Sequence, residues 1–115
     1  MTDPCFTLQV RSKIWLEING DPVFGQGRDI LLSQIRESGS INAAAKAMGM
    51  PYRKAWTYID VMEKRLGFPL VNRLKGGAGG GTSKLTLQAE NLLEKFDLLQ
   101  QGIQTIVNDK FRELF

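Results

Sequence analysis

Six consecutive positions, 52 to 57, read Tyr-Arg-Lys-Ala-Trp-Thr and bring two cations, two aromatic rings and a hydroxyl together. The planar guanidinium of Arg53 can donate two parallel hydrogen bonds to a guanine edge, and an ammonium such as Lys54 suits a phosphate. A second stretch, "LKGGAGGGTSKLT" at 74 to 86, has glycine at five of the six positions 76 to 81. Glycine adopts backbone angles other residues avoid, so the tract could serve as a phosphate cradle, a linker or a contact tip. A nucleotide-binding loop of the G-x-x-x-x-G-K-[ST] kind requires lysine directly after its last glycine and then a helix. Here Gly81 precedes Thr82 and Ser83, Lys84 comes too late, and strand-forming residues follow.

Other chemistries are closed by composition. Histidine is absent, which removes Ser–His and Cys–His nucleophile pairs and most zinc sites, and the single cysteine, Cys5, rules out a disulfide within the chain. The expectation is therefore a protein that is not an enzyme and carries no cofactor or metal. No apolar run approaches the roughly 18 residues of a membrane span, and the first residues lack a basic stretch followed by an apolar one. A cytoplasmic protein is the reading. The net charge of +3 is unevenly placed: residues 51 to 85 hold seven Lys or Arg against two acids, residues 1 to 50 balance five against five, and the remainder is acidic. A basic middle of this kind suits a polyanion, and it is also compatible with ordinary solvated charge.

The elements that would position these residues follow from periodicity. At 115 residues, one domain with one core is expected. Alternation at Leu8, Val10, Ser12, Ile14, Leu16 and Ile18, then Asn19-Gly20 and "PVF", predicts an N-terminal hairpin over 6 to 24. Residues 28 to 67 read as three helices, stopped by Gly39, Gly49 and Gly67, with Ser40 as a cap and Pro51 ahead of the third. Ala55, Ile59, Met62 and Leu66 draw a buried stripe on that third helix, opposite Tyr52, Arg53, Trp56, Thr57 and Asp60. Two helices joined by a short glycine-containing turn have the layout of a helix-turn-helix. Short strands in "PLVNRL" and "SKLT" around the glycines then make a wing over 70 to 86. The fold class is mostly α with small β: a winged helix-turn-helix with an N-terminal β-hairpin and a long C-terminal helix.

That last helix, 87 to 114, begins at Thr86 as a cap and repeats apolar residues at Leu92, Phe96, Leu99, Ile103 and Ile106, with Leu93, Val107, Phe111 and Leu114 widening the stripe. A period near 3.5 favours pairing with another helix. Unbroken, it would run about 42 Å, longer than so small a domain can cover, so dimerisation through this seam is favoured over a fold-back hinged near Gly102.

The run "GSINAAAKAMGMPYRKAW", followed by "FPLVNR", the glycine tract and "KLT", resembles the DNA-binding domain of the molybdate-responsive ModE-type transcription regulators and, more distantly, LysR-type winged helices. The resemblance covers about residues 28 to 96. It implies double-stranded DNA as partner, a homodimer on an inverted repeat, and genes linked to molybdate or another metal oxyanion. Full-length members carry a separate C-terminal oxyanion-binding region. With the sequence ending at Phe115, a single-domain form is expected, so that either this protein senses nothing itself or its sensor is a separate oxyanion-sensing protein.

In a helix-turn-helix the second helix enters the major groove by its N-terminal residues. Tyr52, Arg53, Lys54, Trp56 and Thr57 are thus the expected recognition residues, with Arg53 first for base specificity. Trp56 is as suited to roofing the core as to touching DNA. Ser40 at its helix start, Lys46, Arg73, Lys75 and Lys84 are the expected phosphate contacts. The alternative is a protein-interaction or dimerisation module that partners a separate sensor chain, which the apolar last helix would suit. Duplex RNA fits less well, because its deep narrow groove does not admit a helix.

Overall fold

The computed structural model describes residues 7–74 and 82–115. In chain order the elements are β1 (Trp15–Ile18), β2 (Asp21–Gly25), α1 (Arg28–Ser38), α2 (Ile41–Ala47), α3 (Tyr52–Leu66), β3 (Val71–Leu74), β4 (Thr82–Leu85) and α4 (Leu87–Leu114). The strands form two separate two-stranded antiparallel sheets, β1 with β2 and β3 with β4.

The hairpin turns at Asn19 and Gly20, both with positive φ (52° and 84°), so that Ile18 pairs with Asp21. These are the angles an Asn-Gly hairpin turn supplies. The alternation from Leu8 onward predicted a longer first strand, and the structure corrects this: β1 begins only at Trp15. The reason is its partner's length. Trp15 pairs with Gly25, where β2 ends, and a strand extends only as far as it finds backbone partners. Gly25 itself, at φ 93°, lies so close to Trp15 that an added Cβ would sit 2.9 Å from the Trp15 Cβ. Residues 10 to 12 instead find partners on the last helix: Gln100 Nε2 donates to the Ser12 carbonyl (3.0 Å) and Gln104 Nε2 to the Val10 carbonyl (2.9 Å). Leu8, expected in the buried row, is half exposed.

Helices α1, α2 and α3 close around Leu31, Leu32, Ile35, Ala44, Ile59 and Met62, all essentially without solvent access. The alanines of α2 permit this close approach, since a larger side chain at Ala44 or Ala45 would have no room in a densely packed core. The helix ends are local affairs. Gly39 and Gly67 close α1 and α3 in the left-handed conformation, Ser40 Oγ accepts from the Ala43 amide at 2.9 Å, and Thr86 Oγ1 accepts from Ala89.

The wing strands are anchored on three sides. Glu63 Oε2, in the last turns of α3, accepts from the Leu70 amide at 2.8 Å, the Ser83 amide donates to the Gly39 carbonyl at 2.8 Å, and the Thr86 amide donates to the Leu70 carbonyl at 2.9 Å. The base of the wing is therefore bonded to both α1 and α3 before any partner is present.

Helix α4 is continuous for 28 residues, about 42 Å, and does not break at Gly102. Its buried residues, Ala89, Leu93 and Phe96, all lie in its first three turns. Beyond them it projects from the body, which is why the molecule measures 63 Å along its long axis against 32 and 22 Å across. Among the described residues no helix is long and apolar enough to cross a membrane.

Candidate nucleic-acid interface

The site is built on the first two turns of α3. Pro51 holds extended angles (φ −63°, ψ 144°) ahead of the helix, so α3 starts abruptly at Tyr52 and presents Tyr52, Arg53 and Lys54 at its tip, all exposed. The helix is pinned from beneath by Ala55, Ile59 and Met62, each fully buried. At about 100° per residue this leaves Arg53 and Thr57 on the outer face, with Lys54 and Trp56 on opposite flanks.

Three of the residues expected to meet DNA, Thr57, Tyr52 and Trp56, are held by a neighbour. Thr57 Oγ1 donates to the Arg53 carbonyl at 3.0 Å, so its hydroxyl proton is already used and its methyl remains for contact. Tyr52 and Trp56 meet edge to face, with ring centroids 6.2 Å apart and planes at 89°. Trp56 is half-buried and packs against the core, so of its two expected roles the packing one is occupied in the free chain. Tyr52 stays 47% exposed. Asp60, on the same outer side, is engaged by Lys64 at 2.9 Å.

The remaining expected contacts lie around this helix. Ser40 caps α2 through the Ala43 amide, so it supports the helix start by its own side chain. Lys46 is exposed in the last turn of α2, and Lys84 is exposed on β4 opposite Asn72. Arg73 is placed by its backbone, opposite Ser83, in the wing ladder. Lys75 and the glycine tip fall outside the described residues. Among the described residues Arg53, Lys54, Lys46 and Lys84 form no salt bridge, whereas Lys64 is paired and Arg65 donates to the Pro22 carbonyl at 2.8 Å. The basic middle thus divides into cations that hold the fold and cations left without a carboxylate.

Of the five residues expected on the pairing seam, Phe96 needs correction. It is 4% exposed and meets Phe24 edge to face at 5.1 Å, because α4 is still packed on its own domain at that turn. Leu92 is half-buried against the same core and Ile103 is half-buried, while Leu99 (48% exposed) and Ile106 (64%) stand open. Sequence reasoning also missed Arg28 and Tyr58, which come together beside Lys54. Arg28 Cζ lies 5.4 Å and Lys54 Nζ 5.8 Å from the centroid of the Tyr58 ring. Only the four-residue step from Lys54 to Tyr58 was visible locally.

A two-helix unit with an exposed, uncompensated tip, followed by a strand pair bonded to its first and last helices, is a winged helix-turn-helix protein. Residues 30–90, more than half of the chain, match the bacterial regulatory helix-turn-helix proteins of the lysR family, and the chain belongs to that family. It is 44% identical over 71 residues to the transcriptional regulator ModE of Haemophilus influenzae, covering 62% of this chain and 28% of that protein. It is 38% identical over 95 residues to the DNA-binding transcriptional dual regulator ModE of Escherichia coli K12, covering 83% and 33%. Against the molybdenum-pterin-binding protein MopB of Rhodobacter capsulatus it is 33% identical over 84 residues, covering 73% and 31%. The chain thus spans about a third or less of the length of these curated relatives.

Proposed function

We propose that this chain is the DNA-binding part of a transcriptional regulator, acting in the cytoplasm as a homodimer on an inverted repeat and tied to genes of molybdate or metal-oxyanion metabolism. The observation that carries the reading is the outer face of α3, where Arg53 and Thr57 stand exposed on a helix locked from beneath, with Lys54, Lys46 and Lys84 uncompensated around it. Arg53 reads a guanine edge, Tyr52 and the Thr57 methyl add polar and apolar base contacts, and Ser40, Lys46, Arg73, Lys75 and Lys84 serve the phosphates. Membership in a regulatory helix-turn-helix family and likeness to a protein named as a DNA-binding transcriptional regulator support the DNA link, and likeness to a molybdenum-pterin-binding protein supports the molybdate link.

The dimer rests on the open side of α4. Leu99, Ile103 and Ile106 lie along one stripe, and leaving the open part of Leu99 and Ile106 to water forgoes about 1–2 kcal/mol for each side chain a partner would fully cover. A second copy offers the same stripe, and the two recognition helices would then fall on half-sites about 34 Å apart or a multiple of that. Selection of genomic fragments bound by the protein tests the whole reading. Recovered sites should share an inverted repeat and lie beside oxyanion-handling genes. Recovery of no fragment at low salt, with dimerisation intact, would instead support a protein-interaction module.

A further inference from the structure

An open cleft of about 390 Å³ on the flank of α3 is used by none of these contacts. It is lined by Gln26, Gly27, Arg28, Met48, Met50 and Tyr58, bringing together the entry to α1, the turn between α2 and α3, and the second turn of α3. The Tyr58 ring stands on one of its walls. Arg28 and Lys54, from different helices, both lie within 6 Å of that ring's centroid. Among the described residues the Arg28 guanidinium has one further partner, the Gln26 side-chain oxygen, at a weak 3.5 Å. Neither cation forms a salt bridge among the described residues, although Arg36 and Lys64 elsewhere on the same helices do.

A cation against an aromatic face is attracted to the ring quadrupole and keeps its full charge. A carboxylate partner would have cancelled it. The ring therefore holds two positive charges, that of Arg28 on the cleft wall and that of Lys54 beside the ring, without neutralising either. Their place on the helix says what they would meet. Lys54 is one residue, about 100°, round α3 from Arg53, so a duplex seated on the Arg53–Thr57 face carries one wall of its major groove past this flank. That wall is sugar and phosphate. A small free oxyanion fits less well, because the cleft is open and Met48 and Met50 share its lining with Arg28.

We propose that Arg28 and Lys54, set by the Tyr58 ring, form a phosphate clamp that extends the DNA footprint from α3 onto the first turn of α1. The clamp rests on the DNA-binding reading above and adds Arg28 and Tyr58 to it. The test is anisotropy titration of the full chain against two labelled duplexes, one recovered by genomic selection and one scrambled, over a series of salt concentrations. Arg28→Ala should weaken both duplexes alike, about fivefold at 0.15 M salt, and lower the slope of log affinity against log salt by about one per protomer. Arg28→Lys should keep the wild-type slope. Tyr58→Leu should weaken both duplexes with its melting temperature checked beside wild type, and Tyr58→Phe should bind as wild type. Wild-type affinity and slope in Arg28→Ala would overturn the clamp and leave the DNA reading standing. No binding of either duplex by the wild-type protein would remove both. Slow saturation of the Arg28 side-chain NMR signal by inorganic phosphate alone, with no response to duplex, would overturn the clamp in favour of a free-anion site.

Discussion

Phe24 and Phe96 meet edge to face, with ring centroids 5.1 Å apart and planes at 88°, and this contact fixes where α4 stops being part of the domain. Phe24 comes from the hairpin and is fully buried. Before this contact α4 buries Ala89 and Leu93, and after it no residue of the helix is buried. The same apolar stripe thus serves two purposes along its length, the chain's own core first and an open face afterwards.

That division predicts opposite phenotypes for neighbours on one stripe. Phe96→Ala should cost about 3–5 kcal/mol of stability, because it empties a packed aromatic site. Ile106→Glu, on a position 64% exposed, should leave the thermal melt of the monomer nearly unchanged and abolish the proposed dimer. Sedimentation velocity and denaturant titration on the two variants separate the effects. A dimeric Ile106→Glu protein would show that the helix pairs by another face.

Much of this was legible in the sequence wherever the cause is local. The stops at Gly39 and Gly67, the caps at Ser40 and Thr86, and the buried stripe of Ala55, Ile59 and Met62 depend on residues within a turn or two of one another. What escaped depends on distant partners. The length of β1 is set by where β2 ends at Gly25, the burial of Phe96 by a hairpin phenylalanine, and the meeting of Arg28 with Tyr58 by α2 and β2, on which both α1 and α3 pack. In the candidate site the exposure of Tyr52, Arg53, Lys54 and Thr57 was readable because they follow one another on a single helix. The half-buried state of Trp56 was not, since one position on a helix flank is open to either core or partner.

Arg53 and Lys84 should fail differently. The Arg53 side chain stands on the outer face of the recognition helix, and Arg53→Ala should cost about 1–3 kcal/mol on the best site and relax preference at one base position. Lys84 lies on β4 of the wing, and Lys84→Ala should weaken all sequences by a similar factor and reduce the salt slope. Gel-shift titration across a panel of single-base variants of a selected site distinguishes them. Unchanged base preference in Arg53→Ala would remove Arg53 from its assigned role.

Thr86 joins the wing to α4 through two bonds made by one hydroxyl. Its Oγ1 accepts from the Ala89 amide at 3.1 Å and donates to the Pro69 carbonyl at 2.7 Å, and the residue is 4% exposed. Thr86→Ala should therefore destabilise the protein by about 1–2 kcal/mol in urea denaturation, whereas Thr86→Ser, which keeps the hydroxyl, should recover most of that loss. Equal losses in the two variants would trace the effect to the methyl group.

Gln104 holds the segment before the hairpin against the projecting half of α4. Its Oε1 accepts from both the amide (2.8 Å) and the hydroxyl (2.7 Å) of Ser12, and its Nε2 donates to the Val10 carbonyl and to Asn108 Oδ1 (2.9 Å each). Gln104→Ala removes the acceptor that the Ser12 amide finds among the described residues, so hydrogen exchange there should accelerate at least about tenfold, the equivalent of one lost hydrogen bond. Gln104→Glu should be no better a substitute, because its carboxylate loses the donor and faces the Val10 carbonyl with negative charge. On the helix Gln104 lies about 140° from Leu99 and about 160° from Ile106, nearly opposite the open stripe. Freeing the segment should then leave dimerisation unchanged by sedimentation. A Gln104→Ala protein that exchanges faster at Ser12 and also loses its dimer would mean that residues 10 to 12 belong to the pairing interface rather than to the helix that carries it.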